Sequence, residues 1–191
     1  MLGARRVFAV GLVVLGLVVA ACGGGGGSKS SGGVNTSTWS SDVCTAVKSW
    51  QSDVQKGGQD VQAAVQPGTA PDEGRRVLVQ FLQQAVQVTD RMLGQLKAAG
   101  SPDVSRGSEI ATDLRNGLGQ ARTALQDAES TAEKLPVDDR AKFAAAATQL
   151  GTSISQAFDA IGKTFDGLNK KYNGPPELDK AFNSQAACKG L

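Results

Sequence analysis

The stretch Phe143–Tyr172, FAAAATQLGTSISQAFDAIGKTFDGLNKKY, decides the fold of this chain. Apolar residues recur in it at spacings of three and four, which places them on one face of an α-helix. That face consists of Phe143, Ala147, Leu150, Ile154, Phe158, Ile161, Phe165, Leu168 and Tyr172. We predict that Asp138 caps the helix at its N-terminus, and Lys170 and Lys171 suit the negative end of its dipole.

Three longer segments before this helix and one short segment after it carry the same spacing, over residues 43–65, 78–96, 104–132 and 178–188. The breaks between them fall at Pro67-Gly68, Gly100, Pro136 and Asn173-Gly174-Pro175-Pro176. Long amphipathic helices with short connections predict an all-α protein, an antiparallel bundle of four long helices plus a short C-terminal helix. The alternative is an extended helical hairpin or coiled coil, in which a partner covers the alanine-rich third helix.

Two short stretches make local predictions. Gly57-Gly58 stands where the next apolar pair of the first helix should be, and each glycine costs about 1 kcal/mol relative to alanine. This pair therefore predicts a kink or a close helix crossing. Ser101-Pro102-Asp103 combines a cap, a proline at the first helical position and an acid, so it predicts the start of the third helix.

The N-terminal segment has the composition of an export signal. Arg5 and Arg6 precede the uncharged apolar run Val7–Ala21, which ends at Cys22. About 15 apolar residues are too few for a comfortable bilayer span but suit the core of a signal peptide. We predict that residues 1–21 are removed, with a permanent anchor helix as the alternative.

The four residues Val19-Ala20-Ala21-Cys22 resemble the bacterial lipobox, which has an aliphatic residue, two small residues and an obligatory cysteine. The resemblance implies that a diacylglyceryl transferase alkylates the Cys22 sulfur and that lipoprotein signal peptidase cuts before it. It also implies a lipid anchor, with palmitate as an expected acyl group, on the extracytoplasmic face of the cell membrane. Arg5-Arg6-Val7-Phe8 resembles a twin-arginine signal as well, so Sec and Tat export both stay open.

Residues 22–38 form the lipidated cysteine and a Gly/Ser-rich tether, and residues 39–191 form the predicted bundle domain. A flexible coil of this length reaches roughly 20–25 Å, enough to lift a domain clear of lipid headgroups. Gly23–Ser30 superficially imitates a phosphate-binding loop. It lacks the second glycine, follows no strand and opens no helix, which favours the tether.

Charge and composition exclude several functions. The chain has 20 basic side chains, of which Arg5 and Arg6 lie in the leader, so 18 basic and 18 acidic side chains remain. A neutral mature domain lacks the basic surface that is typical of nucleic-acid binders, so we predict no nucleic-acid partner. Histidine is absent, which removes the commonest general base and transition-metal ligand. The acidic residues are dispersed, so we predict no enzyme activity, no metal site and no cofactor.

Cys44 lies in the first helix and Cys188 near the end of the chain. Because exported thiols meet an oxidising environment, these two cysteines most simply form a disulfide. A reactive thiol pair is the alternative, although no C-x-x-C sequence is present. The disulfide would join the two ends of the domain.

The two tryptophans are the remaining candidates for a binding surface. Trp50 falls on the apolar stripe of the first helix, which favours a place in the core. Trp39 precedes the predicted helix, where it either packs near Val43 as a hydrophobic staple or stands exposed as a contact.

In overall pattern the chain resembles small helical lipoproteins and secreted proteins of high-GC Gram-positive bacteria. The resemblance rests on the lipobox, the tether, the Ala/Gln/Asp/Arg-rich helices and the frame of Trp39, Cys44 and Cys188. We expect an anchored interaction or scaffold module that contacts an envelope protein or wall polymer. The alternative is a carrier of a small ligand or lipid, with a cavity lined by the small residues of the third helix.

Overall fold

The computed structural model describes residues 32–66 and 68–190, and within them it confirms the all-α fold. The four long helices are α1 (Thr36–Ala64), α2 (Pro71–Ala98), α3 (Gly107–Ala132) and α4 (Arg140–Tyr172). A short α5 (Pro176–Ser184) and a 3₁₀ turn (Ala186–Cys188) follow.

The long helices pack in chain order, α1 on α2, α2 on α3 and α3 on α4. The C-terminal α5 and the 3₁₀ turn cross the end of the bundle and pack on α1. Helices α1 and α4 do not pack closely in the described part of the chain. The bundle is therefore a row of four antiparallel helices. The row does not close fully, because a cleft remains between α1 and α4.

The alanine-rich stripe of α3 is covered inside the chain. Ala121 and Ala132 are 1 % and 0 % exposed, and they belong to the same buried face as Leu118 and Leu125. Small side chains allow close packing here, since a Cβ built on Gly117 would lie 2.3 Å from Cγ2 of Thr164 on α4. No partner is needed to bury this stripe, so the bundle is favoured over the hairpin.

The folded domain begins earlier than predicted. Residues 36–38, assigned to the tether from sequence, form the first turn of α1, and the Asn35 side chain accepts hydrogen bonds from the amides of Ser37 and Thr38 at 3.0 and 3.3 Å. The asparagine cap explains the earlier start. Residues 22–31 of the predicted tether and the whole leader 1–21 lie outside the described residues.

The prediction that Ser101-Pro102-Asp103 starts the third helix is wrong, because α3 begins at Gly107. The three residues instead pair with Val34, whose amide donates to the Ser101 carbonyl at 2.7 Å and whose carbonyl accepts from the Asp103 amide at 2.8 Å. This long-range bridge pairs the Ser101 carbonyl and the Asp103 amide with Val34. In a helix capped by Ser101, that carbonyl would instead accept the first intrahelical hydrogen bond.

The cap of α4 is Asp139, one residue after the predicted Asp138. Its Oδ1 accepts hydrogen bonds from the amides of Ala141 and Lys142 at 2.8 and 3.1 Å. The two aspartates are equally suitable caps by composition. The start of the helix at Arg140 decides between them.

The glycine pair in α1 gives a test of the helix crossing. A Cβ on Gly57 would lie 2.9 Å from Cδ2 of Phe81 on α2, whereas a Cβ on Gly58 would meet nothing within 4 Å. We expect Gly58→Ala to stabilise the protein by about 1 kcal/mol through helix propensity. Gly57→Ala must displace the Phe81 ring, and overpacking of this kind costs roughly 1–3 kcal/mol. Urea midpoints measure the difference, and equal midpoints for the two variants would contradict the close crossing.

Candidate functional site

A half-open cleft of about 660 Å³ lies between α1 and α4, hereafter the α1–α4 cleft. Residues 43–55 of α1 form one wall, a length of about 18 Å at the rise of an α-helix. The lining residues are Val43, Cys44, Val47, Trp50, Gln51, Val54, Gln55, Phe158, Ile161, Gly162, Phe165, Phe182, Asn183 and Cys188. Its volume and its mainly apolar lining are those of small-molecule sites.

Trp50 forms the floor of the cleft and is held in one orientation. Its indole N–H donates to Oγ1 of Thr89 at 2.9 Å, and the Thr89 hydroxyl donates to the Ala85 carbonyl at 2.7 Å. The Phe158 ring meets the indole edge-on, with the ring centroids 5.8 Å apart. Because its polar atom is satisfied inside the protein, Trp50 presents an apolar face to the cleft.

The polar side chains on the rim are neutral amides. Gln51 and Gln55 lie at one end of the cleft and Asn183 at the other. Among the described residues that line the cleft, none is charged. A charged group placed there would lose hydration without gaining a counter-ion, so the lining suits an uncharged ligand.

The disulfide and α5 close one end of the cleft. Cys44 and Cys188 are bonded with their Cα atoms 5.0 Å apart, which confirms the predicted disulfide. Phe182 of α5 packs edge-on against Trp39, with ring centroids 6.0 Å apart. The C-terminal segment is thereby fixed across the gap between α1 and α4.

A second cavity of about 200 Å³ lies under α5, and we call it the inner chamber. Like the α1–α4 cleft it is half-open, and it is bounded by α3, the end of α4 and α5, with Trp39 and Leu114 among its walls. Phe165 and Phe182 line both the inner chamber and the α1–α4 cleft. The two cavities are thus neighbours that share a pair of aromatic rings.

A further cleft, of about 700 Å³, lies between α3 and α4 at the other end of these helices. The small residues Ala124 and Ala128 line it, as the carrier hypothesis expected of the third helix. Its walls also carry Asp127 and Lys134 and include no aromatic ring. The α1–α4 cleft is the better candidate because it combines aromatic surface with the absence of charge.

A cluster of paired charged residues lies where α3 begins and α4 ends. Lys171 Nζ lies 2.5 Å and the Tyr172 hydroxyl 2.6 Å from Oδ2 of Asp113. These bonds, that of Lys171 first, lower the pKa of Asp113 below its ordinary value. Arg106 pairs with Glu109 at 2.6 Å and stacks over the Tyr172 ring. The cluster joins α3 to α4 and offers no single unpaired charge to a substrate.

Trp39 is not the exposed contact that the sequence left open. It lies in the first turn of α1, is only 2 % exposed, and donates its indole N–H to the Gly100 carbonyl at 3.2 Å. An apolar ring at this position is buried because α5 and the 100–102 loop cover the start of α1. Trp50 is buried as predicted, at 6 % exposure.

The predicted lipidation residue Cys22 and its neighbours Val19, Ala20 and Ala21 lie outside the described residues. Within the described ranges, the helices are too short or too polar to cross a membrane. The same part of the chain contains no group of three or more acidic, cysteine or histidine side chains placed to hold a metal ion.

Several cleft residues were identified in the sequence only as core positions. Phe158, Ile161 and Phe165 belong to the α4 stripe, and Gln51 and Gln55 were not singled out. One available signal was the position of Trp50 in the first helix and of Phe158, Phe165 and Phe182, three of the chain's six phenylalanines, in the last two helices.

Comparison with known proteins found no matching family model, curated protein or solved structure.

Proposed function

We propose that this chain is a lipid-anchored extracytoplasmic binding protein that holds an uncharged apolar ligand in the α1–α4 cleft. The observation that carries the proposal is the lining of the cleft, with an aromatic floor, a neutral amide rim and no charge among the described residues. Burying apolar surface there gains roughly 0.8 kcal/mol per methylene group. A ligand with a hydrocarbon body and a neutral polar group satisfies both parts of the lining.

The anchoring part of the proposal is supported by the lipobox-like residues Val19-Ala20-Ala21-Cys22. A protein held at the membrane surface by lipid has direct access to apolar molecules in the envelope. The 18 basic and 18 acidic side chains after the leader leave no net charge to draw the domain to anionic lipid. Attachment would therefore depend on the acyl chains on Cys22.

The open side of the α1–α4 cleft favours a second candidate, the interaction module. An amphipathic helix of an envelope protein, or a wall polymer, would lie along the groove between Val54 and Phe182. This candidate predicts no affinity for small lipids in a folded protein, so one binding experiment separates the two functions.

We expect Gly162→Phe to weaken binding of radiolabelled 1-monopalmitoylglycerol by about tenfold or more. Gly162 lines the cleft and has open space where a Cβ would be, so the new ring enters the ligand volume without disturbing the helix. Loss of two methylene contacts corresponds to about tenfold. Equilibrium binding to the purified exported protein measures the effect.

The matched control is Gly167→Phe. Gly167 is on the same helix and also faces open space, but it does not line the cleft. Its binding should equal that of the wild type. If the folded wild type does not bind the lipid, the carrier proposal is wrong and the interaction module becomes the better function. If Gly162→Phe and Gly167→Phe bind alike, the ligand lies elsewhere.

A further inference from the structure

We propose that the ligand is a single-chain lipid with an uncharged headgroup, whose tail passes between Phe165 and Phe182 from the α1–α4 cleft into the inner chamber. This inference rests on the proposed function. It assigns the inner chamber as the site for the end of an acyl chain.

The α1–α4 cleft and the inner chamber are neighbouring cavities that share two aromatic rings. Phe165 comes from α4 and Phe182 from α5, and both residues line the cleft as well as the inner chamber. Both residues are partly exposed, unlike the fully buried leucines of the core. Side chains change rotamer far more readily than a helix moves, so a tail can displace these rings.

The walls of the inner chamber suit hydrocarbon. Its lining is mostly apolar and includes Leu114, Leu168, Leu178 and the Trp39 ring, while Asp179 and Tyr172 are the lining residues with polar side chains. The Tyr172 hydroxyl already donates to Asp113. An acyl chain that covers this lining removes apolar surface from water, which gains roughly 0.8 kcal/mol per buried methylene group.

The dimensions select a narrow tail. An α-helix with side chains is about 10–12 Å across, which is too wide for a chamber of about 200 Å³. A helical partner could lie in the cleft but would leave the chamber empty. An unbranched acyl chain can enter both.

The neutral rim of the cleft determines which kind of headgroup can bind and where it lies. With the tail at the disulfide end, the head lies near Gln51 and Gln55, which are about 12 and 18 Å along α1 from Val43. Their amides can donate to and accept from a glycerol ester, whereas a carboxylate would find no cation among the described lining residues. A monoacylglycerol therefore fits better than a fatty acid.

The only two tryptophans of the chain report on the two cavities separately. Trp50 lines the cleft and Trp39 lines the inner chamber. Bromine quenches indole fluorescence on contact, so we would titrate the exported protein with 1-monoacylglycerols brominated either near the ester or near the methyl end. Trp50→Phe isolates the emission of Trp39, Trp39→Phe isolates that of Trp50, and the wild type gives the sum if either variant folds poorly.

The methyl-end probe should quench Trp39 at least twofold more than the ester-end probe, and the ester-end probe should quench Trp50. Quenching of Trp50 alone by both probes would show that the tail stays in the cleft, which overturns this inference and leaves the proposed function standing. Quenching of Trp39 by the ester end would overturn the orientation. No quenching of either tryptophan would contradict the proposed function itself.

A brominated fatty acid of the same chain length tests the headgroup. We expect it to bind about tenfold more weakly than the monoacylglycerol at neutral pH, because its carboxylate has no counter-ion on the rim. Equal affinity would overturn the assignment of an uncharged head.

Discussion

Removal of the disulfide in the double variant Cys44→Ala/Cys188→Ala is expected to destabilise the domain by about 4–5 kcal/mol. The two cysteines are 144 residues apart in sequence, so their bond restricts almost the whole unfolded domain. Chain-entropy models give a large stabilisation for so long a loop. Replacing both residues avoids a free thiol, and alanine at Cys44, which is 2 % exposed, leaves no polar group unsatisfied.

Urea unfolding of the double variant and of the wild type in strong reductant measures the loss. The free energies of unfolding of these two samples should agree, because both lack the same bond. The unreduced wild type in oxidising buffer is the reference from which the loss is measured. Helix α5 keeps some packing of its own through Leu178 and Ala181, which are 5 % and 4 % exposed. A loss below about 1 kcal/mol would mean that this packing, and not the bond, holds the chain end to α1.

The same variant should lose affinity for the acyl ligand. Cys44 and Cys188 form part of the cleft wall, and the bond fixes the segment that carries Phe182. Once the segment is free, the end of the cleft is no longer closed, and part of the binding free energy is spent on ordering it. Stability and binding are therefore coupled through the C-terminal segment.

The helices could be predicted from sequence because their signals are local. Spacing of apolar residues placed all four long helices, and the oxidising compartment implied by the lipobox paired Cys44 with Cys188. The errors arose where a distant residue decided the local structure. Val34 takes the backbone groups of Ser101 and Asp103, and nothing near Pro102 in sequence reveals this.

The cleft could not be predicted because it depends on how far the row of helices closes. Phe158 and Phe165 have the same spacing as Leu150, yet Leu150 is 2 % exposed in the core while the two phenylalanines line the cleft. Periodicity identifies the face of a helix but not the distance to the next one. The gap between α1 and α4 reflects tertiary packing, in which α5 crosses only one end of the bundle.

The largest expected effect in the cell is that Cys22→Ala abolishes lipid attachment. In the proposed anchor, the lipobox-like Cys22 would supply the sulfur to which a diacylglyceryl group is joined, and alanine has no nucleophile to replace it. Two acyl chains anchor a protein stably, since each buried methylene contributes about 0.8 kcal/mol. Metabolic labelling with an alkynyl palmitate should therefore mark the wild type and leave Cys22→Ala unlabelled.

The matched control is Cys44→Ala/Cys188→Ala, which removes the other two cysteines and should keep its label. Labelling is a better readout than membrane fractionation, because a leader that is not cut from Cys22→Ala could hold the chain at the membrane through Val7–Ala21. An unlabelled wild type, or a labelled Cys22→Ala, would contradict the anchor. Binding of monoacylglycerol in the α1–α4 cleft would then be a property of an unanchored protein, and the comparison of Gly162→Phe with Gly167→Phe would still test it.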